Sequence, residues 1–144
     1  MITGLFDNGA MPALERLVQF TGQRHKLLVH NIANVSTPYF QQRDLSIDSF
    51  RSVLAKAIDD RQQRTGGPNG PLEMRDTRQL HFGDDFTETR PRPIAPNIMF
   101  HDRNNRSLEH LMQGLAENTM THRAALDILK NELDLLNIAI RERV

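Results

Sequence analysis

The sequence predicts a mainly α protein. Long N- and C-terminal helices pair as an antiparallel coiled-coil-like hairpin, joined by an irregular middle segment that contains one short helix. Three observations predict it. Apolar residues recur at three- and four-residue spacing over residues 11–35 and again over 107–140, the period of an amphipathic helix. Between them, residues 65–71 read Thr-Gly-Gly-Pro-Asn-Gly-Pro, a string that breaks regular structure. The chain has 144 residues, 38% of them hydrophobic and 6% aromatic, with no Trp. That is one domain's length with a modest core, too small to bury two long helices alone. The reading divides the chain into a flexible N-terminal segment over 1–10, a helix with an Asn-rich motif over 11–37, a middle segment over 38–106 and a C-terminal helix over 107–144.

The first helix runs from about Met11 to Asn34. Pro12 suits its first turn, where a missing N–H costs nothing. Leu14, Leu17, Val18, Thr21, His25, Leu28, Ile32 and Val35 form one stripe, and Glu15, Gln19, Gln23 and Lys26 the opposite face. At the helical rise this element spans roughly 36 Å. It must end at Asn31-Ile32-Ala33-Asn34-Val35-Ser36-Thr37-Pro38. Asn31 and Asn34 are three residues apart and share a face. Asn34 can adopt a left-handed cap or bond the last free carbonyls. Thr37 precedes proline and is pushed out of the helical region, and Pro38 has no N–H to donate. A lone asparagine at this place would mean no more than a helix C-terminus.

In the middle segment a short helix is expected over about 49–61. Phe50, Val53, Leu54, Ala57 and Ile58 share a face, and Asp48 is the candidate cap. Residues 72–86 hold one or two short strands, and Arg90 to Pro96 is extended with polyproline character. Alone in water this middle segment is expected to be largely mobile. The last helix begins with Ser107 as N-cap and Glu109 favouring the helix dipole. Leu108, Met112, Leu115, Thr119, His122, Leu126, Leu129, Leu133, Leu136 and Ile140 then alternate at spacings of four and three, a heptad seam roughly 50 Å long. The expected packing seam joins Leu14, Val18 and Leu28 of the first helix to Leu115, Leu126, Leu129, Leu133, Leu136 and Ile140 of the last. Apolar surface left over must find other subunits.

Composition and spacing exclude several function classes. Basic and acidic residues number 18 each, mixed along the chain, so no polybasic face points to nucleic acid or an anionic membrane. No apolar run is long enough for a transmembrane helix. Met1 to Gly9 lacks the basic and apolar regions of a cleavable signal peptide. There is no Cys, hence no disulfide framework and no thiolate chemistry. The histidines at 25, 30, 81, 101, 110 and 122 show no metal-ligand spacing. Asp59-Asp60 and Asp84-Asp85 read as solvated charges. The glycines over 66–70 include a proline, lack a following Lys-Ser/Thr and open no helix, so they form no phosphate loop. No catalytic, cofactor-binding or metal-ligating residue is identified.

The string Asn31, Ile32, Ala33, Asn34, followed by Thr37 and Pro38, resembles the N-terminal signature of the bacterial flagellar axial proteins, the rod and hook family, which reads Asn-Ile-Ala-Asn-x-x-Thr-Pro-Gly-Tyr. Tyr39 and Phe40 follow the proline directly, so the family's glycine is missing. Further similarities are Gln42-Arg43-Asp44 after the turn, Thr77 and His81, the Asp102 to Ser107 segment lacking the usual glycine and valine, Asn118 with His122 in place of tyrosine, and Asn137-Ile138-Ala139-Ile140. Length and the Arg43-Asp44 context are most similar to the proximal rod subunits. The resemblance implies a structural part without cofactors. It implies export through the flagellar type III apparatus under an uncleaved N-terminal segment, folding at the growing end, and residence in the periplasm-spanning rod of the basal body. Its implied partners are other rod subunits, further copies of the chain, and the export gate and ring base. From the residues alone two readings stay open: such a polymerising subunit, of this or a sibling rod type, and a cytosolic coiled-coil adaptor or chaperone-like module.

Overall fold

The computed structural model describes residues 9–83, 87–94 and 107–141. Residues 1–8 of the expected flexible segment over 1–10, and the Asp102 to Arg106 stretch, lie outside them. Among the described residues the chain is mainly helical, with long helices near each end and a middle of short strands around one further helix.

Helix α1 spans Met11–Ala33, with Pro12 in its first turn as the sequence predicts. Strand β1 (Arg43–Asp44) follows. Helix α2 spans Ile47–Thr65, longer at both ends than the expected 49–61. Its N-cap is Ser46 rather than Asp48: the Ser46 hydroxyl accepts the Ser49 N–H at 3.1 Å. Asp48 sits instead in the first turn, where its charge suits the helix dipole. The helix runs on until Gly66, whose φ of 68° supplies a left-handed stop, with its N–H donating to the Gln62 carbonyl. Strands β2 (Leu80–Phe82) and β3 (Thr87–Thr89) pair antiparallel. Strand β4 (Arg92–Pro93) lies antiparallel to β1, with Arg43 opposite Pro93. A proline is tolerated in so short a ladder because its missing N–H faces no partner strand. Helix α3 spans Leu108–Arg141, and the Ser107 carbonyl accepts the Leu111 N–H, the position of an N-cap.

α1 and α3 pack against each other and run antiparallel. The Asn118 Nδ2 donates to the Thr21 carbonyl at 2.9 Å, and a Cβ on Gly114 would touch Arg24 and Leu28. The apolar core lies on the adjoining face of α1, next to the α3 contact: Phe20 and Phe50 line one cavity with Glu117, Asn118 and Thr121 of α3. Phe20 stacks on Phe50 with ring centroids 4.1 Å apart and planes 6° from parallel. Leu45 and Leu80 complete the buried cluster, ringed by Leu17, Leu27, Ile47, Leu54, Met74 and Phe82. Each such burial contributes about 1.5–3 kcal/mol. The middle segment is therefore not the unsupported stretch its composition implies. Its few large apolar residues converge on one face of α1. Arg16 reinforces this by donating to the Gly83 carbonyl at 2.8 Å.

A turn precedes β2. Its Thr77 hydroxyl accepts the Leu80 N–H at 3.0 Å, and the Asp76 carboxylate accepts the Phe82 N–H at 2.8 Å. That backbone bond, with the adjacent His81 ring, holds the Asp76 carboxyl below the usual carboxylate range. Thr77 and His81, singled out by resemblance, thus lie in this turn and in the strand that follows it.

Candidate functional site

The motif at the end of α1 is a hydrogen-bonding device. Asn31 is 1% exposed. Its Nδ2 donates to the Arg43 carbonyl at 2.8 Å and its Oδ1 accepts the Arg43 N–H at 3.2 Å. One side-chain amide therefore does for β1 what a neighbouring strand would do. Asn34 does not take the left-handed option: its φ is −106°, and its Nδ2 donates at 2.9 Å to the His30 carbonyl, which also accepts the Asn34 N–H at 3.2 Å. Its own carbonyl accepts the Thr37 N–H at 3.0 Å, which starts the turn. Ile32 is half-buried, while Ala33, Thr37 and Pro38 are exposed.

At Tyr39 the backbone adopts φ 61°, the left-handed region that glycine favours. The missing glycine of the motif is thus replaced in sequence but not in conformation. The Tyr39 ring is 81% exposed and contributes little burial to offset the strain. We expect Tyr39→Gly to be more stable than Tyr39→Ala by about 1 kcal/mol, since both remove the ring and only glycine relaxes the backbone. Thermal midpoints of the two variants check this; alanine equal to or above glycine would refute it.

Arg24, seven residues before Asn31, extends the device. Its Nε and Nη2 donate to the two Asp44 carboxylate oxygens at 2.9 and 2.8 Å, a bidentate pair. Asp44 Oδ1 also accepts the Leu45 N–H at 2.8 Å. Asn31 thus holds the backbone of Arg43, and Arg24 holds the side chain of Asp44. One turn earlier, Thr21 Oγ1 lies 2.8 Å from His122 Nδ1. Thr21, Arg24, Leu28 and Asn31 are all buried and follow one another at spacings of three and four. Sequence reading passed over Arg24, because a charged residue beside an apolar stripe reads as surface. The signal available was its helical spacing from Asn31, matched to the adjacent Arg43-Asp44.

On α3 the side toward α1 carries Leu111, Asn118 and Ala125, all buried, with Leu115, His122 and Leu129 half-buried. Leu115, Leu129 and Leu136 belong to the expected seam and are half-buried, as are Leu14 and Val18, and Leu28 is buried. Leu126 differs: with Met112 it lies on a flank and is exposed. The contacts at Thr21, Arg24 and Leu28, carried along both helices, set Met11 opposite about residue 130. Beyond that point α3 has no α1 residue beside it. Leu133, Leu136 and Ile140 continue the α1-facing side, and Leu133 and Ile140 are exposed at 37% and 53%. On the other side Ile128, Leu135 and Ile138 are exposed as well. Asp127, Lys130, Asp134 and Arg141 make a polar strip with Asn137 at its edge, while Asn131 falls beside Ile138 and Glu132 between the two apolar sides. A helix apolar on two sides sits between more than one neighbour.

Among the described residues no group of three or more His, Asp or Glu side chains is placed to hold a metal ion. No described helix is long and apolar enough to cross a membrane. His122 packs in the helix interface, and Asp60 lies 3.9 Å from Arg75 at the surface. Among the described residues the arrangement offers a closed polar device at one end of the helix pair and an apolar stretch of helix that no described residue covers at the other.

Comparison with known proteins follows the same direction. The chain is similar to the flagellar basal body rod protein FlgB of Cereibacter sphaeroides (strain ATCC 17029 / ATH 2.4.9), at 28% identity over 145 residues, covering 97% of this chain and 98% of that one. It is 26% identical over 129 residues to the FlgB of Aquifex aeolicus, covering 90% of each chain. It is 25% identical over 130 residues to the FlgB of Yersinia enterocolitica, covering 88% of this chain and 89% of that one. No family model matches the chain.

Proposed function

We propose, from the premise that this chain is a flagellar basal-body rod protein of the FlgB type, that it is a structural subunit of the proximal rod and works by polymerising rather than by catalysis. The observation that carries this is the last third of α3, apolar on two sides and uncovered by any described residue of the chain. Such a surface is satisfied by neighbouring helices, and a contact between unlike faces repeats without closing and builds a filament. The motif device suits the same role. It ties β1 and β4 to α1, so each subunit presents a fixed shape to its neighbours. The neighbours are other rod subunits above and the export gate and ring base below, and the chain reaches them through the flagellar export route without a cleaved signal.

Deletion and localisation test the reading together. A strain lacking the chain should be non-motile and yield basal bodies without rods. A copy tagged in the exposed 66–70 loop should restore swimming and purify with basal bodies. Normal rods in the deletion strain, with the tagged chain confined to the soluble cytosol, would favour the adaptor reading instead.

A further inference from the structure

The loop after α2 carries a residue set up for covalent change. It begins at Gly66, the left-handed stop of the helix, and continues Gly67-Pro68-Asn69-Gly70-Pro71. Thr65 Oγ1 braces its near side, 2.9 Å from both the Arg61 and the Gly67 carbonyl oxygens. Asn69 is exposed. The next residue, Gly70, has φ 110°, a conformation that residues with a Cβ rarely adopt. A Cβ there would also lie 3.1 Å from Thr65 Cγ2. The backbone thus requires glycine at 70, and no side chain screens the peptide nitrogen that follows Asn69. Among the described residues nothing accepts a hydrogen bond from the Gly70 N–H.

The second observation concerns the Asn69 amide itself. Its Oδ1 accepts the Gly9 N–H at 3.2 Å. Gly9 is held in turn by its carbonyl, which accepts from Arg61 Nη2 at 3.0 Å, and Arg61 is buried in α2. The donor aimed at Asn69 is therefore fixed by the same helix from which the loop departs. A fixed N–H on a carbonyl oxygen polarises the attached carbon. It also stabilises the negative charge that the oxygen gains when a nucleophile adds.

We propose that Asn69 is a site of spontaneous deamidation in the folded chain. The Gly70 nitrogen gives its proton to solvent base and bonds to Asn69 Cγ. The tetrahedral centre carries its negative charge on Oδ1, against the Gly9 N–H. The Cγ–Nδ2 bond then breaks, the departing nitrogen takes up a proton and ammonia leaves, which closes a succinimide ring. Water opens the ring. Cleavage at Cγ leaves aspartate at 69, and cleavage at the backbone carbonyl leaves isoaspartate, whose main chain is longer by a methylene. Either product adds one negative charge to a chain of zero formal net charge. Isoaspartate also shifts the acceptor away from Gly9 and so unties the loop from the start of α1. This chemistry is independent of the rod assignment.

Ageing the full chain at mildly alkaline pH, beside a synthetic peptide of residues 62–76 in the same buffer, measures what the fold contributes. Trypsin releases Thr65–Arg75, in which mass spectrometry reads the exchange of amide for acid, and enzymatic methylation reads isoaspartate. The other Asn-Gly pair, Asn8–Gly9, falls in a different tryptic peptide, so its conversion is scored separately. Asn69 should convert about two- to tenfold faster in the folded chain than in the peptide, the factor that one hydrogen bond to Oδ1 is worth. Unfolding the chain in guanidinium should return the rate to that of the peptide. A folded-chain rate equal to or below the peptide's overturns the proposal. So does a rate above the peptide's that persists after unfolding, because the Gly9 N–H is then not its source.

Discussion

Asn31→Asp should destabilise the isolated chain by about 3–5 kcal/mol near neutral pH, more than the about 1–3 kcal/mol expected for Asn31→Ala. Alanine merely leaves the Arg43 N–H and carbonyl without partners. Aspartate adds a buried charge whose oxygen faces the Arg43 carbonyl at the distance where Nδ2 now donates, 2.8 Å. Burial and that opposing dipole raise the carboxyl's pKa in the folded state above the ordinary value of about 3.9. The folded variant then binds a proton that the unfolded chain releases, so its stability relative to wild type is greatest below about pH 4 and falls as pH rises. Protonated, the carboxyl can donate to the Arg43 carbonyl again. Urea titrations of both chains at pH 4 and pH 7 measure the difference. Equal deficits at both pH values would show that the amide is not read through its donor.

Leu135→Glu and Ile138→Glu should abolish swimming while leaving the monomer intact. Both side chains are exposed within the chain, at 61% and 53%, so each change should move monomer stability by no more than about 0.5 kcal/mol. In an assembly that covers this side of α3, each subunit would bury an unpaired carboxylate, costing several kcal/mol per copy. Lys130→Glu, on the polar strip, should swim. Thermal denaturation of purified variants, set beside motility and rod isolation, separates the two effects. If both glutamate variants assemble normally, this side of α3 faces water in the rod.

The long elements were legible because their signal is local and repeated. The 3.6-residue period places both ends of α1 and the start of α3 within a residue of those observed, and Asn31 stands out within a recognisable string. The short strands were not legible. β1 and β4 are each two residues long, too short for alternation to show, and their pairing spans the whole middle segment. The expected seam and the contact that α3 makes with α1 differ for a physical reason. Leu115, His122, Leu129 and Leu136 serve either of two adjoining flanks of α3. The larger apolar residues Met112 and Leu126 point to one flank; the contact with α1 forms on the other. There Asn118, Ala125 and Gly114 are short enough for the helices to approach closely, and Asn118 can satisfy a backbone carbonyl on arrival. Polar residues in a helix interface look like surface until their partners are known. Arg24 needed Asp44, and Asn118 needed Thr21.

The separation of α1's contacts along the chain sets an order of events. Asn31 meets Arg43 after 12 residues and Arg24 meets Asp44 after 20, whereas Thr21 meets Asn118 only after 97. Closing a short loop costs less entropy than closing a long one, and near contacts form sooner. A thread delivered N-terminus first can therefore secure α1, β1 and α2 around Phe20 and Phe50 while α3 is still arriving. Until it does, the Thr21–Arg24–Leu28 side of α1 stays open to water. The last residues delivered close the subunit and bring its uncovered apolar helix with them, so a chain becomes adhesive only as it becomes complete.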